Sequence, residues 1–85
     1  MRITTLAISW ERAAHIAKHG VTPGEAREAL ETGTVLRGPN SPRDGRPTYI
    51  VRGRTYNGRR LRLLVKPVGQ GLAFLITARE DRKSG

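Results

Sequence analysis

Cysteine is absent from this 85-residue chain. That excludes disulfides, thiolate catalysis and cysteine-based zinc sites together, and it suits a reducing, cytoplasmic compartment. Long hydrophobic runs are absent as well. Nothing approaches the ~20 apolar residues of a bilayer-spanning helix, and Arg2 is followed by a short mixed segment, Ile3–Ile8, in place of a signal peptide's apolar stretch. Aromatic residues are few, only Trp10, Tyr49, Tyr56 and Phe74. Acidic residues are scarce too: 7 Asp+Glu face 16 Lys+Arg, a net charge of +9. Length and composition predict one domain over residues 1–85, with a thin core and no membrane association. The charge predicts a polyanionic partner, nucleic acid or an acidic protein.

The excess charge is concentrated. Residues 1–36 are balanced, whereas residues 37–66 carry eight arginines and Lys66 against Asp44 alone, a net of +8. Residues 67–85 add +1. Arginine supplies 13 of the 16 cations, and its planar fork suits bidentate contact with phosphate or carboxylate better than lysine does.

The order of elements reads β-α-α-β-β-β-β. Ile3–Ile8 is a short β-branched strand. Ser9 is an N-cap for a helix from Trp10 to about His19, and Gly20 is its stop. On that helix Trp10, Ala13, Ala14 and Ala17 form an apolar stripe, Arg12, His15 and His19 lie opposite, and Ile16 falls off the stripe. Thr22-Pro23-Gly24-Glu25 is a capping box for a second helix that buries Ala26, Ala29 and Leu30 and ends at Gly33. Thr34-Val35-Leu36 is extended, Gly38–Pro47 is a loop rich in turn residues, and Thr48–Thr55 is a strand. Asn57-Gly58 predicts a type I′ hairpin turn into a return strand, Arg60–Lys66. After a turn at Pro67–Gly71, Leu72–Ala78 is the last strand. The expected fold is α+β: two N-terminal helices packed on a three- to five-stranded antiparallel sheet.

Strand alternation turns the basic segment into a patch. Val51, Leu61, Leu63 and Val65 point to one face, toward the helices. Arg52, Arg54, Arg60, Arg62 and Lys66 share the other face with Tyr56, and Arg79 extends the patch at its edge. Like charges facing each other across paired strands repel. A polyanion or an acidic partner segment covering the face makes sense of the arrangement.

Other constellations are poorer. His15 and His19 have the i, i+4 spacing of a metal face, yet no cysteine or intervening glutamate completes a zinc site, so no metal and no cofactor is expected. The glycines fall in turns without a Lys-Ser/Thr partner, so there is no phosphate loop, and Ser9, Ser41 and Ser84 sit in a cap, a loop and the tail. One chemistry does fit. RNA cleaves itself when its 2′-hydroxyl attacks the adjacent phosphate, so a protein need only position the strand, move protons and stabilise charge. Arginines with a histidine or glutamate nearby supply those terms.

Three short motifs sharpen this reading: Lys18-His19-Gly20-Val21, Gly53-Arg54-Thr55 with Gly58-Arg59-Arg60-Leu61, and Ile76-Thr77-Ala78-Arg79-Glu80. In this order and spacing, from about Ser9 to Glu80, the chain resembles BrnT-like toxins of the RelE/ParE toxin superfamily. The resemblance implies a RelE/ParE-like toxin fold and mRNA cleavage that inhibits translation. It also implies a cognate antitoxin, an acidic or DNA-binding companion. Carried over onto this sequence, it makes His19, Arg54, Arg60 and Arg79, with Lys18 beside them, the RNA-facing residues. The expectation is therefore a metal-independent ribonuclease toxin acting on RNA, free or ribosome-associated. His19, Arg54, Arg79 and Glu80 are the catalytic candidates, and Lys18, Arg52, Tyr56, Arg60, Arg62 and Lys66 the RNA-binding ones. The rival expectation is a non-catalytic module that binds nucleic acid or protein through the same face.

Overall fold

Ser9 and Thr22 open the two helices. The computed structural model describes residues 3–81. At the head of α1 (Trp10–Ala17), Ser9 Oγ accepts the Arg12 N–H at 3.2 Å. At α2 (Pro23–Thr32) the capping box closes in both directions. The Glu25 N–H donates to Thr22 Oγ1 at 3.1 Å and the Thr22 N–H to Glu25 Oε1 at 3.0 Å. Between the helices Gly20 takes a φ of 73°, letting the Val21 and Gly20 N–H groups reach back to the Ile16 and Ala17 carbonyls. This is the left-handed glycine stop that the sequence predicts.

Five strands follow the order β1-β5-β4-β3-β2. They are β1 (Thr5–Ala7), β2 (Thr34–Asn40), β3 (Pro47–Arg54), β4 (Arg60–Gly69) and β5 (Leu72–Glu80). The α+β class holds, but the sheet is mixed, not antiparallel. β1 runs parallel to β5, with Leu6 opposite Ala73, while the other three pairings are antiparallel. A parallel partner nearly seventy residues away needs no hairpin turn, so no local signal marks it. Leu6 is buried, and that apolar anchor keeps the three-residue strand on the sheet edge. β2 also outruns its expected end at Leu36. It continues through an irregular register to pair Asn40 with Pro47.

The two hairpins differ in turn type. In the β3–β4 loop only Gly58 has positive φ and Asn57 does not, so the type I′ expectation fails there. The loop has three residues, closed by Gly58 N–H to the Thr55 carbonyl and Thr55 N–H to the Arg59 carbonyl. The buried Thr55 hydroxyl bonds the Asn57 side chain and accepts the Arg59 N–H, which fixes the loop. At β4–β5, Gln70 (φ 54°) and Gly71 (φ 78°) both lie in the left-handed region, as a two-residue primed turn requires.

The core is Ile3, Leu6, Ile16, Val21, Ala26, Ala29 and the inward residues of β3, β4 and β5. Ala26 and Ala29 are fully buried under α2, as expected. On α1 the expected stripe is overturned. Ile16 is the fully buried residue, whereas Trp10 is 81% exposed and Ala14 and Ala17 face outward. The reason is position. β1 covers β5 only along Leu72–Phe74, and α1 lies beside the remainder of that strand, presenting Ile16 to the core and Arg12 to the Ile76 carbonyl at 3.3 Å. One large side chain in a well-packed site outweighs a stripe of alanines.

α2 approaches β3 more closely than a side chain would allow. A β-carbon at Gly53 would stand 1.9 Å from the Ala29 carbonyl oxygen, and one at Gly33 would stand 2.5 Å from the same atom. Thr32 Oγ1 reinforces the seam by accepting the Arg54 N–H at 2.9 Å. Gly53→Ala is therefore expected to destabilise the fold by about 3 kcal/mol, the upper range for overpacking. Gly24→Ala, in the exposed first turn of α2 with nothing closer than 3.9 Å, is expected to be neutral or to stabilise by about 0.5 kcal/mol. Urea unfolding midpoints of the two variants check both.

Candidate nucleic-acid interface

α2 covers one side of the sheet under β3 and β4, α1 lies along β5, and the side opposite α2 is open. The cross-strand pairs Arg54–Arg60 and Arg52–Arg62 join β3 to β4, and Arg62–Arg79 joins β4 to β5. All five arginines are exposed. Lys66, on the same face, faces Phe74 across β4 and β5. Neighbours in such pairs stand about 5 Å apart at Cβ, so three strands concentrate cations in a narrow band.

Arg79 reaches this band through a bulge. Val65 pairs with Leu75 but Leu64 pairs with Thr77, leaving Ile76 as an extra residue in β5. Strict alternation from the buried Ala73 and Leu75 would point Arg79 toward the helices. The inserted residue reverses the phase, so Ala78 is buried and Arg79 joins Arg62 outside.

Few carboxylates balance the band. Asp81 holds Arg52 Nε at 2.9 Å. Asp44 bonds the Lys66 ammonium, a contact that holds its carboxyl below the usual range with help from the Arg46 N–H. Among the described residues, no carboxylate lies within ion-pair distance of Arg54, Arg60, Arg62 or Arg79.

Four candidates lie elsewhere: Tyr56, Glu80, Lys18 and His19. Tyr56, expected on the basic face, is carried by the three-residue loop toward α2. There its hydroxyl donates to Glu31 Oε2 at 2.5 Å and its N–H to Glu28 Oε1 at 2.8 Å. The Glu31 contact raises the phenol pKa. Glu80 pairs with Leu61 on the helix side, where it accepts Arg59 Nε at 2.9 Å. Arg59 is the centre of that side. Its Nη1 also donates to the Gly20 carbonyl at 2.6 Å and reaches Glu25 at 3.3 Å. The guanidinium thus clamps the turn between the helices, the head of α2 and the end of β5. Bonds from Glu80 and Glu25 push its pKa up still further.

Lys18 and His19 are exposed at the end of α1, off the sheet. The His19 ring stands edge-on to His15, with centroids 5.4 Å apart. His15 is the histidine that touches the sheet, with Nε2 3.3 Å from the Thr77 hydroxyl beside the bulge. The sequence sets both histidines opposite the expected stripe and makes His19 the catalytic candidate, whereas the residue that meets the sheet is His15. Their i, i+4 spacing ranks neither, and only the docking of Ile16 does. Among the described residues no three His, Asp or Glu side chains converge as metal ligands do. No family profile matches this chain, and no curated protein sequence matches it.

Two outcomes follow from this charge layout. Glu25 has a lowered pKa, first because it accepts the Thr22 N–H and then because of Arg59. A carboxylate depressed in the folded state stabilises above its unfolded pKa and loses that contribution as pH falls through the folded value. Glu25→Gln should therefore lower the thermal midpoint at pH 7, with the gap from the native protein closing below about pH 4. Arg62 faces Arg52 on one side and Arg79 on the other, so Arg62→Gln should raise the midpoint at low salt by about 2–4 °C. The gain should shrink in 1 M salt, where the repulsion is screened. Calorimetry at both ionic strengths checks it.

Proposed function

We propose that the protein is the toxin of a type II toxin–antitoxin pair, a metal-independent ribonuclease that binds RNA on the open sheet face, cuts mRNA and so stops translation in the cytoplasm. The observation that carries this reading is the exposed band of Arg52, Arg54, Arg60, Arg62 and Arg79, built from three adjacent strands at the cost of mutual repulsion. The resemblance to BrnT-like toxins supplies the rest. The expected partners are RNA, free or ribosome-associated, and a cognate antitoxin whose acidic surface caps the same band. Arg62 and Arg79 hold the scissile phosphate and stabilise the charge that builds when the 2′-hydroxyl attacks. His15, anchored at Thr77, and its neighbour His19 move the protons. Glu80 acts through Arg59, as a positioning residue.

A non-catalytic binding module is the second reading. It draws support from Glu80 and Tyr56 both being engaged on the helix side, away from the arginines.

The decisive assay incubates purified protein with single-stranded RNA in EDTA and looks for fragments ending in 2′,3′-cyclic phosphate. Cleavage that falls about 100-fold in His15→Ala, with Kd unchanged, supports the ribonuclease and the proton-moving role. RNA that is bound but left intact establishes the binding module. In either case the logarithm of affinity should fall against that of salt with a slope of about −3, from the four arginines that pair with no carboxylate among the described residues, at ~0.7 each. Arg79→Ala should reduce that slope by about 0.7.

A further inference from the structure

Beside the arginine band the open face deepens into a groove of about 700 Å³. Its floor is apolar, with Leu64, Phe74 and Ile76, and its walls carry Arg12 from α1, Arg43 from the loop after β2, and Lys66. Phe74 is 50% exposed there. With Tyr56 turned to α2 and Tyr49 on the helix side, it is the aromatic ring that the sheet offers to the open face. Leu64 also lines a second hollow with Arg62 and Arg79, so the groove runs directly into the band. An apolar floor ringed by cations differs from the band itself, which is charge without a platform.

We propose that this groove holds an unpaired base of a single-stranded nucleic acid, stacked on Phe74, with its flanking phosphates on Arg12 and Arg43. The inference rests on the RNA-binding reading of the open face and adds to it a preference for single strands. A base inside a duplex shows neither face to a protein, whereas an unpaired base has both free to stack. The volume suits one nucleotide with room for its neighbours. Side chains on one face of β4 recur about every 7 Å, so Lys66, Leu64 and Arg62 carry an extended strand from the groove into the band. A single-stranded nucleic acid fits the groove because each nucleotide joins a flat ring for Phe74 to the phosphates that Arg12 and Arg43 can hold.

Fluorescence anisotropy with a single-stranded RNA, the DNA of the same sequence, the matching RNA duplex and polyglutamate tests this. The variants are Phe74→Leu, which keeps apolar bulk without a stacking face, and Phe74→Trp, which enlarges that face. Circular dichroism confirms that both fold. Phe74→Leu is expected to weaken single-stranded RNA binding about 5- to 150-fold, the range for one stacked base, with the salt slope unchanged. Phe74→Trp should bind at least as tightly as the native protein, and duplex binding should be the same for all three. Equal loss for RNA and DNA assigns the site to base and phosphate alone, and loss for RNA only adds the 2′-hydroxyl. The proposal is overturned if Phe74→Leu binds single strands like the native protein while Arg62→Ala weakens them; the RNA reading then survives without the groove. It is also overturned if polyglutamate binds as tightly as RNA and loses equally with Phe74→Leu. If native protein binds no nucleic acid at all, the RNA reading itself fails.

Discussion

The close contact between the backbone of α2 and β3 governs the rest of the molecule. Because Gly53 has no side chain, the Ala29 carbonyl sits where a β-carbon would otherwise be, and a helix that buries two alanines, Ala26 and Ala29, can seal the sheet with very little bulk. The thin core is a consequence. Among the described residues thirteen apolar side chains, all aliphatic, are buried between two short helices and the sheet. The described residues leave the other side uncovered, so each residue that alternates away from the helices must tolerate water or await a partner. Arginine tolerates water, and it is what β3, β4 and the end of β5 place there.

Much of the motif pattern that suggested a toxin family is scaffolding. Gly20 accepts Arg59, Arg59 holds Glu80 and Glu25, Thr55 folds the loop that sets Arg59, and Leu61 and Ala78 are core. The residues between them, Arg54, Arg60 and Arg79, point outward. Alternation along a strand interleaves the two roles, so one short motif specifies both a fold and a surface. Arg59 shows how the two differ. It belongs to the same basic run as Arg60 and Arg62, yet it is consumed in holding the α1–α2 turn to the sheet.

The helix starts, the glycine stops, the strand order along the chain and the two faces of the β3–β4 hairpin were legible because each is written in local spacing. The Thr22–Glu25 box and the Arg52, Arg54, Arg60, Arg62 series are the clearest cases. What was not legible depends on contacts remote in sequence. β1 pairs with a strand that arrives at the end of the chain. α1 buries Ile16 and not its alanines because of where β5 loses its neighbour. Tyr56 follows a loop whose length is decided by the sign of one φ at Asn57. Within the candidate site, the outward face of β3 and β4 could be counted off, whereas the placement of Glu80, Tyr56 and His15 required the third dimension.

The bulge at Ile76 makes the charge of both faces a matter of parity. A chain with the same letters that paired β5 in strict alternation, with Ile76 opposite Leu64 and no bulge, would carry Arg79 to the face of Leu75. Its arginine would then press against the guanidinium of Arg59, and its glutamate would stand among the outward arginines and neutralise them. Composition, net charge and motif would all be unchanged, yet the surface would have lost its sign. For chains of this kind the register of the last strand, which its letters do not spell out, decides which face carries the charge.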